Sequence, residues 1–309
     1  MKKALSIFFL LLSVLAFKNI AYAQQEIKEC INFNKAGDYK RAIEAGKLAV
    51  KKYPKNSDAY YCLGEAYFNI GELKLAYENM KKAESLTNKK EDLMHIYNKI
   101  GLILDKMGNL DDALLYQEKS LSLAKELNDT KGQATVLIDI ANIYLSKREL
   151  DKAVNYYNQS LDLQTGKKEK ANIYLTIAAI LLIKGDYQKT FENLQKAIEM
   201  FEKSGDYRNA SMVKLNLGAF YIRVKDYNNA EKYLSEGLEG VKKAGDKYWE
   251  AMGYKFFGML YRDKGDIKTA KEYYARAYDL FKSIKAEKDA QGVLNEMKEL
   301  MKQNDEIKK

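Results

Sequence analysis

The chain has 309 residues, 47% hydrophobic and 31% charged, with one Pro, one His, two Cys and a formal net charge of +9. A single Pro stands far below the usual share of about 5%, which argues against a sheet protein built on many turns and for an all-helical one. One His and two Cys exclude His-rich or Cys-rich metal clusters, and no metal or cofactor is expected.

In chain order, the first element is a leader. Met1-Lys2-Lys3 precedes an apolar run of 14 residues that ends at Lys18, short of the roughly 20 that a membrane span needs. Ala21 and Ala23 supply the small residues of a cleavage site, so residues 1–23 read as a signal peptide removed before Gln24. An uncleaved anchor is the alternative. The first Cys is Cys30, too far from the cut for a lipoprotein, so a periplasmic or secreted product without a transmembrane segment is expected. Losing Lys2, Lys3 and Lys18 leaves 49 basic against 43 acidic residues, a net charge of +6. Pairs four apart, such as Glu78 with Lys82 and Glu192 with Lys196, describe solvated helix faces.

Beyond the leader the chain repeats itself. A small residue recurs at Ala42, Ala76, Ala113, Ala153, Thr190, Ala230 and Ala270, with spacings of 34, 37, 40, 37, 40 and 40. A second column, Cys30, Gly64, Gly101, Ala141, Ala178, Gly218 and Gly258, keeps the same spacings. Two more move with them: Phe33, Tyr67, Leu104, Tyr144, Leu181, Tyr221 and Tyr261, and Ala49, Ala83, Ser120, Ser160, Ala197, Gly237 and Ala277. Each copy predicts two antiparallel helices that approach closely at the small residues, with the aromatic or Leu column filling the groove. Between the helices Gly37, Gly71, Gly108, Gly185 and Gly265 suit a positive-φ helix end. Arg148 and Lys225 depart from Gly there and carry a small cost, while Asp38, Asn109, Asp186 and Asp266 are placed to cap the second helix. The copies lie near 24–56, 57–93, 94–133, 134–170, 171–210, 211–250 and 251–285.

These columns, with Leu63-Gly64 and Tyr67, Ala42 and Pro54, resemble the tetratricopeptide repeat family. The resemblance implies an all-α, right-handed superhelical solenoid of about seven helix-turn-helix repeats over residues 24–285, and 286–309 read as a capping helix and polar tail. The cap's stripe is Val293, Leu294, Met297, Leu300 and Met301; a Met-rich binding face is its alternative. The 40-residue copies look like those of adaptors that wrap extended peptides.

Catalytic patterns are scarce. No Gly-rich phosphate loop, HExxH or GxSxG occurs, and Ser122-x-x-Lys125 and Ser211-x-x-Lys214 lie inside repeat helices without accompanying motifs. His95 has no evident triad. No enzymatic activity and no nucleic-acid partner are expected. Cys30 and Cys62 either pair in an oxidising compartment or serve as two small packing residues.

The resemblance further implies that the first helix of each pair lines a concave groove. Its facing positions map onto Tyr61, Glu65, Phe68, Asn98 and Leu102 in copies two and three, a polar and aromatic set. In copies five to seven they map onto Leu175, Leu182, Met212, Leu215, Ile222, Arg223, Met252, Lys255, Met259 and Arg262, an apolar set with cations for carboxylates. Either these residues form an open groove or neighbouring turns and the cap cover them. Lys and Asn are not placed for the family's two-carboxylate clamp, so a C-terminal EEVD tail is not an expected ligand. The expectation is a protein-binding scaffold that takes a peptide or helix in the groove. A basic protein weakly associating with an anionic membrane or envelope polymer is one alternative, and a sensory module acting through a partner is another.

Overall fold

The computed structural model describes residues 25–307, with side chains through residue 302. The expected signal peptide and cleavage site lie outside the described residues, among which there are fifteen helices and no strand. None of the described helices is long and apolar enough to cross a membrane.

The helices form two compact units. Unit 1, ending at Leu163, holds α1 (25–35), α2 (Tyr39–Lys52), α3 (Ser57–Asn69), α4 (Leu73–Glu84), α5 (Lys90–Lys106), α6 (Leu110–Glu126), α7 (Thr130–Ser146) and α8 (Leu150–Leu163). Unit 2, from Gln164, holds α9 (Lys167–Lys184), α10 (Tyr187–Lys203), α11 (Tyr207–Arg223), α12 (Tyr227–Lys243), α13 (Lys247–Asp263), α14 (Ile267–Ser283) and α15 (Glu287–Ile307). Within each unit the helices pack as successive antiparallel hairpins.

The hairpin turns follow from local chemistry. Each first helix ends on a residue with positive φ, from Gly37 at 76° to Gly265 at 81°, and Arg148 and Lys225 adopt 60° and 61° where the other copies have Gly. The next N–H turns back to the aromatic or Leu column, as in Asp38 N to Phe33 O at 2.9 Å and Asp266 N to Tyr261 O at 2.9 Å. That same residue then opens the second helix: the carboxylates of Asp38, Asp186 and Asp266 accept from Arg41, Lys189 and Thr269 N–H. Asn109 is an N-cap without such a bond. Asp129, Asp206, Asp226 and Asp246 cap their helices in the same manner.

The small columns set the helix spacing. A Cβ on Gly237 would come within 2.8 Å of the Leu215 backbone nitrogen, so α12 lies closer to α11 than a side chain there permits. In copies three and four the column holds Ser, and Ser120 and Ser160 each donate to a first-helix carbonyl, Met94 O at 2.8 Å and Ala134 O at 2.9 Å. Both hydroxyls are buried and satisfied. At the end of unit 2, α15 buries Ala290, Val293 and Leu300 on Ala251, Ala277 and Phe281, and leaves Met301 48% exposed.

Candidate functional site

In unit 2, α9, α11 and α13 are the first helices of three successive hairpins. Together with α10 they surround an open cavity of about 600 Å³. Leu175, Leu182, Ile222 and Met259 supply apolar wall, and Arg223, Arg262 and Asp263 stand where α11 and α13 end. The space exists because Ala178, Ala179 and Ala219 also line it. At the positions equivalent to Ala179 and Ala219, other copies carry Glu65, Leu102, Asn142 and Met259, so two larger side chains there would fill it.

The charges at this cavity are unequal in their partners. Arg262 pairs with Asp263 at 2.8 Å, and burial works against its charge while Tyr274, Asp263 and Glu296 favour it, leaving its pKa raised. Arg223 is exposed, and no hydrogen bond or carboxylate within 4 Å engages its guanidinium among the described residues.

Four residues expected to face a ligand here do not line the cavity. Leu215 is fully buried, because α11 touches α13 as well as α12 and places Leu215 between Gly237 and Gly253. Met212 is half-buried away from the cavity. Met252 and Lys255 are taken up by the last helix: Met252 packs on the cluster that α15 closes, and Lys255 pairs with Glu296 of α15 at 2.9 Å. Ile222 is only 2% exposed, so it forms cavity wall rather than a projecting contact.

The corresponding face of unit 1 is polar. Tyr61 lines a cavity of about 590 Å³ with Lys35, Asp58, Asp92 and His95, and burial, with Glu65, raises its pKa. Glu65 pairs with Lys99 at 3.1 Å, and Lys99 and Lys106 lie 5.3 and 5.5 Å from the Phe68 ring centre. Leu102 is half-buried. Asn98 donates to Gln117 Oε1 at 3.0 Å and to Asp139 Oδ2 at 2.6 Å, while buried Gln117 returns a bond to Asn98 O at 3.2 Å. Tyr157 donates to Asn142 beside this network.

Asp139, Asn142, Gln117 and Tyr157 were not among the residues expected to form a site. Burial pushes the Asp139 carboxyl up to about 6, against the Asn98 hydrogen bond and the Lys99 charge, and Asp105 adds to the rise. A raised folded-state pKa means that the favourable contribution is complete below the unfolded value near 4 and is lost as pH climbs through about 6. Asp139→Asn is therefore expected to gain on the wild type between pH 4 and 7, by about 1–3 kcal/mol at neutral pH. Urea unfolding of both proteins across that range checks it; parallel curves would refute the assignment.

Repeated helix hairpins with small residues at their crossings, carrying an open face of first helices, define a helical-repeat protein. Among the residues whose positions are described, no group of three or more His, Cys, Asp or Glu is arranged to hold a metal ion. The tetratricopeptide repeat family description matches residues 92–165 and 209–283, and a second description of the same repeat matches 46–78. The chain belongs to the tetratricopeptide repeat family.

Its relatives are partial matches. The 43 kDa receptor-associated protein of the synapse from Tetronarce californica is 30% identical over 104 residues, 33% of this chain and 25% of that protein. The photosystem I assembly protein Ycf3 of Rippkaea orientalis is 27% identical over 112 residues, 36% of this chain and 61% of that one. Outer dynein arm-docking complex subunit 4 from Danio rerio is 31% identical over 88 residues, 28% of this chain and 18% of that protein. This chain thus matches a quarter or less of two of these relatives and under two thirds of the third. Apo RapI superposes with a TM-score of 0.69 at 17% identity, over 85% of this chain and 77% of that one. A signal transduction ATPase with a tetratricopeptide repeat sensor from Pyrococcus horikoshii gives 0.70 at 21%, over 87% of this chain and 44% of that one. These two likenesses concern the fold alone.

Proposed function

We propose that this protein is an exported, non-enzymatic scaffold that binds a polypeptide segment of a partner on the first-helix face of unit 2. The observation that carries this reading is the cavity of about 600 Å³ between α9, α11 and α13, apolar along its walls and open because Ala179 and Ala219 are small. Solvated apolar surface of this kind gains by being covered, at about 25 cal/mol per Å². Family membership supports a protein partner, and the relatives' names speak of receptor association, docking and assembly. Export is supported by the leader in residues 1–23 and by the disulfide between Cys30 and Cys62, a bond of oxidising compartments.

Filling the cavity tests the reading. Ala219→Leu places a larger apolar side chain in the open space, so the fold is expected to hold. A partner that co-purifies with the wild-type protein should be retained about tenfold less by the variant, a loss of about 1.4 kcal/mol. Lys196→Glu, at an exposed residue of α10 that does not line the cavity, should retain it fully. Equal retention by the Ala219→Leu protein would contradict the assignment.

A further inference from the structure

We infer that the segment occupying the unit 2 cavity carries an acidic residue whose carboxylate meets Arg223, next to a bulky apolar side chain that enters over Ala179 and Ala219. The inference rests on the groove reading above and adds the chemistry of the occupant.

Along α11 and α13 the other cations are matched within the chain. Lys214 pairs with Glu202 at 3.1 Å and Glu236 at 3.3 Å, Lys255 with Glu296 at 2.9 Å, and Arg262 with Asp263 at 2.8 Å. Arg223 is the exception, exposed on the cavity rim with no carboxylate within 4 Å among the described residues. A helix C-terminus favours a cation, which accounts for a positive charge at the end of α11. It does not account for a guanidinium left unmatched beside an apolar cavity. At the equivalent position other copies carry Asn69, Lys106, Ser146, Ile183 and Asp263, so the hairpin itself does not require Arg.

The geometry joins two requirements at one place. Leu175, Leu182 and Met259 reward an aliphatic or aromatic side chain, and the planar fork of Arg223 rewards a carboxylate with two parallel hydrogen bonds. Asp263, also at the cavity, is held by Arg262 and disfavours a second carboxylate at that end. The acidic residue is therefore assigned to the Arg223 side.

A library of random short peptides displayed on phage, panned against the purified wild-type protein, Ala219→Leu and Arg223→Glu, tests this. Peptides enriched on the wild type should carry Asp or Glu beside Leu, Ile, Phe or Met and should disappear on Ala219→Leu. Arg223→Glu, a change at an exposed residue, should bind the same peptides about tenfold more weakly and should select Lys or Arg in the acidic place. Cavity-dependent peptides without an acid, or with affinities untouched by Arg223→Glu, would overturn the inference and leave the groove reading standing. Peptides enriched equally on Ala219→Leu, or none enriched, would overturn the groove reading and this inference with it.

Discussion

Phe281→Ala is expected to lower the stability of unit 2 by about 3–5 kcal/mol, the range for removing a buried aromatic and leaving its cavity behind. The Phe281 ring is fully buried where α14 meets α15, among Ala251, Ala277, Val293 and Leu300, and meets the Tyr248 ring at 5.5 Å with its edge. Four of its cluster neighbours are alanines, Ala251, Ala270, Ala277 and Ala290, which have little side chain with which to fill the space. Hairpins touch mainly their sequence neighbours, so the damage should stay local. Amides of α13, α14 and α15 should lose hydrogen-exchange protection while those of α9 and α10 largely keep theirs. Met301→Ala, at an exposed position, should change stability by less than about 0.5 kcal/mol. A Phe281→Ala protein as stable as the wild type would mean that α15 does not seal the unit.

Reducing the bond between Cys30 and Cys62, or replacing both with Ala, is expected to cost about 3–4 kcal/mol. The two residues are 32 apart in sequence, and closing a loop of that length removes that much conformational freedom from the unfolded chain. The bond joins α1 to α3, the first helices of two consecutive hairpins. Both Cys residues are almost fully buried, and Asn34 donates to Cys62 O at 3.1 Å beside them. Destabilisation should appear in unit 1 and leave the exchange of α13 and α14 unchanged. The oxidised protein should show no free thiol under denaturing conditions. Two free thiols, or a urea midpoint unmoved by reductant, would contradict the staple.

Much of this architecture is written in residues whose size or backbone conformation admits few alternatives. The turn after each first helix needs positive φ, and five of its seven positions are Gly. Arg148 and Lys225 show that the fold overrides the local preference where the neighbouring hairpins hold the turn. Helix crossings need small residues, which is why two columns kept pace through every copy. The site was less legible for a different reason. First-helix positions identify a face, but not what else leans on it.

Leu215 and Leu175 both fall in the apolar set assigned to that face, yet Leu215 is closed off by α13 and Leu175 remains at the cavity. Met252 and Lys255 are consumed by α15, whose path depends on tertiary packing. Asp139 did leave a trace: it is the one charged residue in the run VLIDIANIYL of α7. A lone carboxylate in an apolar helix needs a partner, and Asn98 supplies it.

We propose the unit 2 cavity as the place where this protein meets its partner. A photoreactive residue at Ala219 or Met259, compared in cells with one at Lys196 on the second-helix side, tests it most directly. Defined protein adducts at the two cavity positions, absent at Lys196, are the predicted result, and mass spectrometry of the adducts then identifies the partner. Adducts of equal yield at all three positions, or adducts at Lys196 alone, would contradict binding at the cavity.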